Sequence, residues 1–170
     1  LRSVLLLPVM VTAVISAALL LQTHSLQPGW GLSGSLAGLL IATGAVLVAA
    51  GLTLMVKTIA LLARIGRGTL APWDPTQNLV VVGPYRHVRN PMISGVLAVL
   101  LGESLILGST AVLSWTGFFL LANLTYIPLV EEPGLARRFG DSYRLYKANV
   151  PRWWPRRKAW QPPAAPGENE

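Results

Sequence analysis

The longest uncharged stretch of this chain sets the first limit on its fold. No lysine, arginine, aspartate or glutamate occurs from Ser3 to Val56. A helix needs only ~20 apolar residues to cross the hydrocarbon core of a bilayer, so the stretch is far longer than one crossing requires. Over the whole chain, 52% of the residues are hydrophobic and only 12% are charged, which is too little charge to cover the surface of a soluble domain. The sequence therefore predicts an integral membrane protein.

Four apolar segments predict an all-α transmembrane bundle. We expect spans at about residues 3–21, 36–63, 91–107 and 110–130. Small residues at four-residue spacing in and before the second span should let helix backbones approach closely; they are Gly34, Gly38, Ala42, Ala45 and Ala49. We predict a single membrane domain over residues 1–160 and a disordered tail over residues 161–170, whose composition is rich in proline and polar residues.

The distribution of basic residues predicts the orientation of the bundle. The net charge is +7, and all but one of the fourteen lysines and arginines lie at or after Lys57. Apart from Lys57, near the end of the second span, they fall in the connection 64–90 and after residue 131, and the turns at 22–35 and 108–110 have none. By the positive-inside rule, both termini and the polar connection should face the cytoplasm, in a bacterial inner membrane or an ER-type membrane. The rule accounts for the charge without a nucleic-acid partner. Oligomeric state is left open.

Residue usage also limits the chemistry. The chain has no cysteine, which excludes disulfides, thiolate nucleophiles and cysteine-ligated metals. Its two histidines are far apart in the sequence. We therefore expect no metal site.

The segment after the last span predicts an amphipathic helix at the cytoplasmic membrane surface. Apolar residues recur there at steps of three and four, which is the spacing of one helix face; they are Leu135, Phe139, Tyr143, Tyr146 and Val150. We expect a break at Gly140 and a new start capped by Asp141. Trp153 and Trp154 lie beside several basic residues, a composition that suits an anionic lipid surface.

A polar stretch, GPYRHVRNPM at residues 83–92, stands at the start of the third span. Pro91 is placed to begin a helix with Asn90 as its N-cap, and the free amides of a helix start attract anions. Arg86 and Arg89 lie within about one turn before these amides. The stretch fits an anion-binding segment, and it also fits an ordinary basic loop punctuated by prolines.

Two adjacent acids, Glu131 and Glu132, mark the end of the fourth span. Carboxylates at the C-terminal end of a helix face the unfavourable pole of its dipole. The pair could receive a cationic or hydroxyl-bearing ligand, or it could be a solvated pair balanced by Arg137 and Arg138.

One further acid lies inside a predicted span. Glu103 is costly there if it is charged, and Asn123 of the fourth span could hydrogen-bond to it. We interpret these two residues as contacts between helices rather than as a site.

Together, the polar stretch and the acids suggest a ligand with an anionic end and a cationic or sugar-like part, held where cytoplasm meets lipid. S-adenosylmethionine and NADPH both have this character. The residues alone leave the choice open.

The same two regions resemble a known superfamily. GPYRHVRNPMISG is similar to the signature Gly-x-Tyr…Arg-His-Pro-x-Tyr-x-Gly of the isoprenylcysteine carboxyl methyltransferase and phospholipid methyltransferase superfamily. EEPGLARRFGDSYRLYKANVPRWWP resembles its second signature, Glu-Glu-x-x-Leu…Phe-Gly-x-x-Tyr-x-x-Tyr…Val-Pro-Arg. The resemblance covers roughly residues 79–155, with one helical hairpin between the motifs.

The resemblance implies a membrane methyltransferase that uses S-adenosylmethionine. It implies that the cofactor is bound by Tyr85, His87, Val88, Arg89, Asn90, Pro91, Ile93, Gly95, Glu131 and Glu132. It implies catalytic or substrate-contacting roles for Glu131, Glu132, Arg138 and Arg152, and Arg137 is a further candidate for the polar group of the substrate. Asn90 stands where the superfamily has histidine, and Ile93 stands where it has its second tyrosine.

The implied reaction is an in-line displacement in which a lipid-borne nucleophile attacks the methyl carbon of the sulfonium. A carboxylate acceptor, as in isoprenylcysteine, needs no base, whereas the ammonium of a phospholipid must first lose a proton. Glu131, Glu132 and His87 are the nearby groups that could accept this proton, and the acids rank as cofactor ligands first and as possible bases second. Two other interpretations remain open: an NADPH-dependent membrane reductase of the sterol-reductase type, and a non-catalytic lipid-binding helix bundle.

Overall fold

The computed structural model describes residues 8–66 and 77–163. Throughout these two ranges the regular structure is helical, without β-strands, which confirms the all-α prediction. The α-helices are α1 (Ile15–Thr23), α2 (Ser35–Leu61), α3 (Pro91–Leu107), α4 (Thr110–Tyr126) and α5 (Glu132–Asn149). π-helical turns precede α1 (Met10–Val14), extend α2 (Leu62–Gly66) and join α4 to α5 (Ile127–Glu131). Short 3₁₀ turns lie at Pro28–Gly31 and Gly83–Arg86.

Three of the helical segments are long and apolar enough to cross a membrane: Met10–Gly31, Ser35–Gly66 and Thr110–Asn149. The fourth, α3, is a shorter apolar helix whose 17 residues rise only about 25 Å, slightly less than a bilayer core of roughly 30 Å. It begins and ends at the residues predicted from the sequence. Residues 3–7 of the first predicted span and residues 164–170 of the predicted tail lie outside the described ranges.

Glycines bring α2 and α3 into backbone contact, and this is the most extensive helix pairing in the bundle. A Cβ added at Gly51 would lie 2.6 Å from the carbonyl oxygen of Gly95, and one added at Gly44 would lie 2.7 Å from that of Gly102. No side chain would fit at such distances without a shift of the helices. The small residues named from the sequence are not the ones at this contact: all five are exposed within the chain, and a Cβ at Gly38 would meet nothing within 4 Å.

The other two spans pack on this pair. The indole of Trp115 on α4 donates a hydrogen bond to the carbonyl of Val11, at 3.2 Å. The expected pairing of Asn123 with Glu103 is wrong, because the Asn123 amide donates to the carbonyl of Phe119 within its own helix, at 2.8 Å. A helix carbonyl is always within reach of a polar side chain one turn later, so this local bond competes well with one between helices.

The turn between α3 and α4 is tied to the loop after α1. The hydroxyls of Ser25 and Ser109 lie 2.7 Å apart, and the backbone amide of Gln27 donates to the carbonyl of Leu107 at 2.9 Å. Ser109 also caps α4, because its hydroxyl accepts a hydrogen bond from the amide of Val112. These contacts close the end of the bundle opposite the polar stretch.

The last helix is broken where the sequence predicted. Gly140 has φ 54° and ψ −129° in the middle of α5, a conformation that is easy only for glycine. The predicted apolar stripe is confirmed: Tyr143, Tyr146 and Val150 are buried together, and Leu135 and Phe139 pack against them. The end of the bundle that carries α5 and residues 77–90 is called the polar end below.

Candidate functional site

The polar stretch folds into a compact turn between residue 77 and α3. A 3₁₀ turn at Gly83–Arg86 is closed by hydrogen bonds from the amides of His87 and Val88 to the carbonyl of Pro84. Gly83 has a positive φ of 56°, which favours glycine at that position. The turn buries Tyr85 and Val88 and leads into α3 at Pro91, with Asn90 at the N-cap position.

The C-terminal segment, residues 150–160, lies along this turn. Backbone amides and carbonyls join Arg89 to Pro151 (2.9 Å), Arg156 to His87 (3.0 Å) and Trp160 to Arg86 (3.0 Å). The hydroxyl of Tyr146 donates to the carbonyl of Tyr85 at 2.7 Å. The turn is therefore held in place by residues more than 60 positions later in the chain.

A cleft opens at the polar end, between the turn, α3 and α5. Its empty volume is about 560 Å³, the open mouth included. The apolar part of its wall is formed by Leu62, Leu79, Val80, Met92, Ile93 and Leu135. The polar part is formed by Tyr85, Arg89, Asn90, Glu131, Tyr143 and Tyr146. Ligand pockets commonly combine a mainly apolar wall with a few polar groups in this way.

Three donor atoms on the polar wall are buried without a hydrogen-bond partner among the described residues: the Tyr85 hydroxyl, Arg89 Nε and Asn90 Nδ2. Burial, reinforced by the charges of Tyr146 and Glu131, raises the pKa of Tyr85, so its hydroxyl stays protonated. A buried donor without an acceptor is unfavourable by about 1–3 kcal/mol. An acceptor-rich ligand on this wall could satisfy them.

Glu131 is the carboxylate on the cleft wall. Burial raises the pKa of Glu131 to about 7, and the neighbouring charge of Glu132 adds to the rise. At neutral pH this group is divided between its two protonation states. It can therefore accept a proton or give one up under physiological conditions.

Glu132, the adjacent acid, is in a different environment. Its side chain is only 3% exposed, and it forms ion pairs of 2.7 Å with Arg89, Lys147 and Arg152. Burial alone would raise the pKa of Glu132, but hydrogen bonds from Arg152 and Lys147 and the charge of Arg89 outweigh it and lower that pKa. Glu132 is therefore ionised at neutral pH.

A family model described as phospholipid methyltransferase matches residues 39–142, which is more than half of the chain. The chain belongs to the phospholipid methyltransferase family. This family is part of the membrane methyltransferase superfamily to which isoprenylcysteine carboxyl methyltransferases also belong, so the resemblance predicted from the two motifs is confirmed. No curated protein and no solved structure matches the chain.

Membership of the phospholipid methyltransferase family makes the chain a membrane methyltransferase that acts on lipid-type substrates. The matched range includes α2 from residue 39 onward, the polar stretch and both acids. It stops before Lys147 and Arg152, so two of the three cations around Glu132 lie beyond it.

The cleft contains five of the residues that the resemblance assigned to the cofactor: Tyr85, Arg89, Asn90, Ile93 and Glu131. The others lie away from its wall. Val88 and Pro91 are buried, the His87 ring is 2.8 Å from the carbonyl of Arg156, and Gly95 contacts α2. Their roles at a cofactor remain predictions.

The arginines assigned to the substrate are also outside the cleft wall. Arg152 is bound to Glu132, and the guanidinium of Arg138 lies 5.9 Å from the ring centre of Phe139. Their substrate contacts likewise remain predictions.

Sequence reasoning missed three residues of this region. Tyr143 and Tyr146 line the cleft, although they had been assigned only to the apolar stripe; their place in the Phe-Gly-x-x-Tyr-x-x-Tyr signature was the available signal. Lys147 had no signal, because in a continuous helix it would lie about 22 Å from Glu132. The break at Gly140 returns the second half of α5 to the first and brings the two charges together.

Proposed function

We propose that this protein transfers a methyl group from S-adenosylmethionine to the amine of a phospholipid in the cleft at the polar end. The observation that carries the proposal is the composition of the cleft wall. One part is apolar and continues the membrane helices α2 and α3, and the other part presents unpaired donors beside a carboxylate. An amphiphilic acceptor and a polar cofactor could meet there.

The donor set fits the amino-acid part of S-adenosylmethionine. Arg89 and Asn90 can donate hydrogen bonds to a carboxylate, and Tyr85 adds a neutral donor. The bound cofactor would supply a methyl group activated by its sulfonium charge. The same donors could also hold the phosphates of NADPH, so a membrane reductase is an outcome that the experiment below must separate.

The apolar wall has two roles in the proposal. It holds the hydrocarbon part of the acceptor, and it keeps water away from the reacting groups. Methyl transfer from a sulfonium to a neutral amine disperses charge, so a water-poor cleft favours it, and correct placement of the two reactants supplies much of the rate.

Glu131 is the proposed proton acceptor. The ammonium of an aminophospholipid has no lone pair, so it must lose a proton before it can attack a methyl carbon. Glu131 lines the cleft, and its pKa of about 7 suits this exchange near neutral pH. A carboxylate acceptor of the isoprenylcysteine type would not need the residue.

The cleft is proposed to face the cytoplasm. The polar end contains Arg86 and Arg89, and most of the remaining basic residues follow α4, whereas the turns at the other end carry no lysine or arginine. This asymmetry supports a cytoplasmic polar end. S-adenosylmethionine would then enter from the compartment in which it is made.

The test is methyl-label transfer by the purified protein in nanodiscs that contain either an amine-bearing phospholipid or only phosphatidylcholine. Label should enter the amine-bearing lipid alone, and kcat/KM should rise as the pH increases through about 7. Glu131→Gln should lose this rise and most of the rate. Asp141→Asn, an acid-to-amide change at a side chain that is 93% exposed, is the matched control and should keep both.

Other results would replace the proposal. Label in an isoprenylcysteine analogue but not in aminophospholipid would assign a carboxylate acceptor. Thermal stabilisation by NADPH but not by S-adenosylhomocysteine would assign a reductase. Binding of neither nucleotide would favour a non-catalytic bundle.

A further inference from the structure

One carboxylate at the polar end holds three cations that come from three different parts of the chain. Glu132 Oε1 accepts hydrogen bonds of 2.7 Å from Arg89 Nη1, in the polar stretch, and from Arg152 Nε, in the C-terminal segment. Its other oxygen lies 2.7 Å from Lys147 Nζ, in the second half of α5. Charge-assisted hydrogen bonds in a buried setting are the strong members of their class.

This arrangement leaves Glu132 little capacity for a ligand. Its side chain is 3% exposed, Oε1 accepts two hydrogen bonds, Oε2 is held by the ion pair with Lys147, and the residue is absent from those that line the cleft. Arg89, in contrast, is placed at the cleft. Arg89 lines the cleft, and its Nε has no hydrogen-bond partner among the residues that the structure describes.

The remaining contacts of Arg89 show how its side chain is placed. Its backbone amide is bonded to the carbonyl of Pro151, Nη1 is bonded to Glu132, and the side chain hydrogen-bonds to Tyr143. The contact with Glu132 is the only charged one of the three. It holds one end of the planar guanidinium and leaves Nε for a ligand in the cleft, which is the kind of support that a precise binding group requires.

We infer that Glu132 is a positioning residue, which acts on the cofactor through Arg89 and ties that arginine to the C-terminal segment through Arg152. The two adjacent acids thus have different roles, since Glu131 lines the cleft and Glu132 orients Arg89 on the cleft wall. The inference rests on the proposed function, because it assumes that Arg89 binds the cofactor carboxylate.

A double-mutant cycle tests this route of action. The affinity for S-adenosylhomocysteine is measured by calorimetry for the wild type, Glu132→Gln, Arg89→Gln and the double variant, well below the melting temperature of each. Each single change should weaken binding by roughly tenfold to a hundredfold, the range expected for loss of one charge-assisted bond. The double variant should bind as weakly as Arg89→Gln alone, within about twofold.

Additional variants keep the test decisive. Arg144→Gln removes a cation from an exposed pair on the same helix, whose side chains are 74% and 93% exposed, and should leave affinity unchanged. If Glu132→Gln does not fold, Glu132→Asp keeps the charge but shortens its reach, and it replaces Glu132→Gln in the cycle.

The outcomes separate the two claims. Fold-changes that multiply in the double variant would show that Glu132 affects binding independently of Arg89 and would overturn the inference. A lower melting temperature with unchanged affinity would also overturn it, because Glu132 would then be purely structural. A wild type that fails to bind S-adenosylhomocysteine would refute the proposed function itself.

Discussion

Gly95 offers a direct test of whether a motif residue serves packing or ligand binding. The resemblance implies a cofactor contact, whereas the structure places its Cα hydrogens against α2. A Cβ there would lie 2.9 Å from Met55 Cγ and 3.0 Å from the carbonyl oxygen of Gly51. Real Cβ atoms rarely approach so closely, so Gly95→Ala should push α3 away from α2. Overpacking of this kind destabilises by about 1–3 kcal/mol.

Two other glycines provide matched controls. Gly102 repeats the geometry two turns further along α3, where a Cβ would lie 2.6 Å from the carbonyl oxygen of Gly44, but it is about 10 Å further from the cleft along the helix. Gly38 has open space around it. Gly38→Ala should therefore be neutral, or should stabilise by up to about 1 kcal/mol because alanine favours a helix.

The assay combines thermal unfolding in detergent with calorimetric titration of S-adenosylhomocysteine at a temperature where every variant is folded. We expect Gly95→Ala and Gly102→Ala to lower the melting temperature by similar amounts and to keep the affinity of the wild type. Weaker binding in Gly95→Ala with normal binding in Gly102→Ala would refute the packing explanation. It would place the backbone of Gly95 at the cofactor.

Three further predictions concern the polar end. Gly140→Ala should destabilise the fold by about 1–3 kcal/mol, because the φ of Gly140 is positive. A Cβ there would meet nothing within 4 Å, so the effect should come from backbone strain alone. Unchanged thermal stability would contradict this. Tyr146→Phe removes the bond to the carbonyl of Tyr85 and should lower the free energy of unfolding by about 1 kcal/mol, measured by denaturant titration. Folding raises the pKa of Glu131 from 4.5 to about 7, so between these pH values the folded state binds more protons than the unfolded state, and the free energy of unfolding should fall as the pH rises. Glu131→Gln should remove this fall. An identical pH profile in that variant would disprove the raised pKa of Glu131.

The parts of the fold that the sequence predicted well depend on local rules. Pro91 and Gly140 set a helix start and a helix break through their own backbone preferences, so the predicted positions agree with the structure. The family motifs likewise stand in short, continuous stretches. Five of the residues that they pointed to share the wall of one cleft.

The features that the sequence did not predict depend on which helix faces pack against each other. Small residues in α2 satisfied a spacing rule, but spacing does not determine which face meets α3, and Gly44 and Gly51 make that contact. The same limit applies to the acids. Adjacent in sequence, Glu131 and Glu132 have opposite pKa shifts, because only one of them meets the cations that the bend in α5 brings back.

The contacts between the C-terminal segment and the polar stretch have a consequence for biosynthesis. The turn at residues 83–90 leaves the ribosome well before residues 150–160, which hold it through backbone bonds. The spans can enter the bilayer one after another, but the cleft is completed only after residues 150–160 have been translated. A chain that is cut short just after α5 would therefore insert into the membrane and still lack an assembled site.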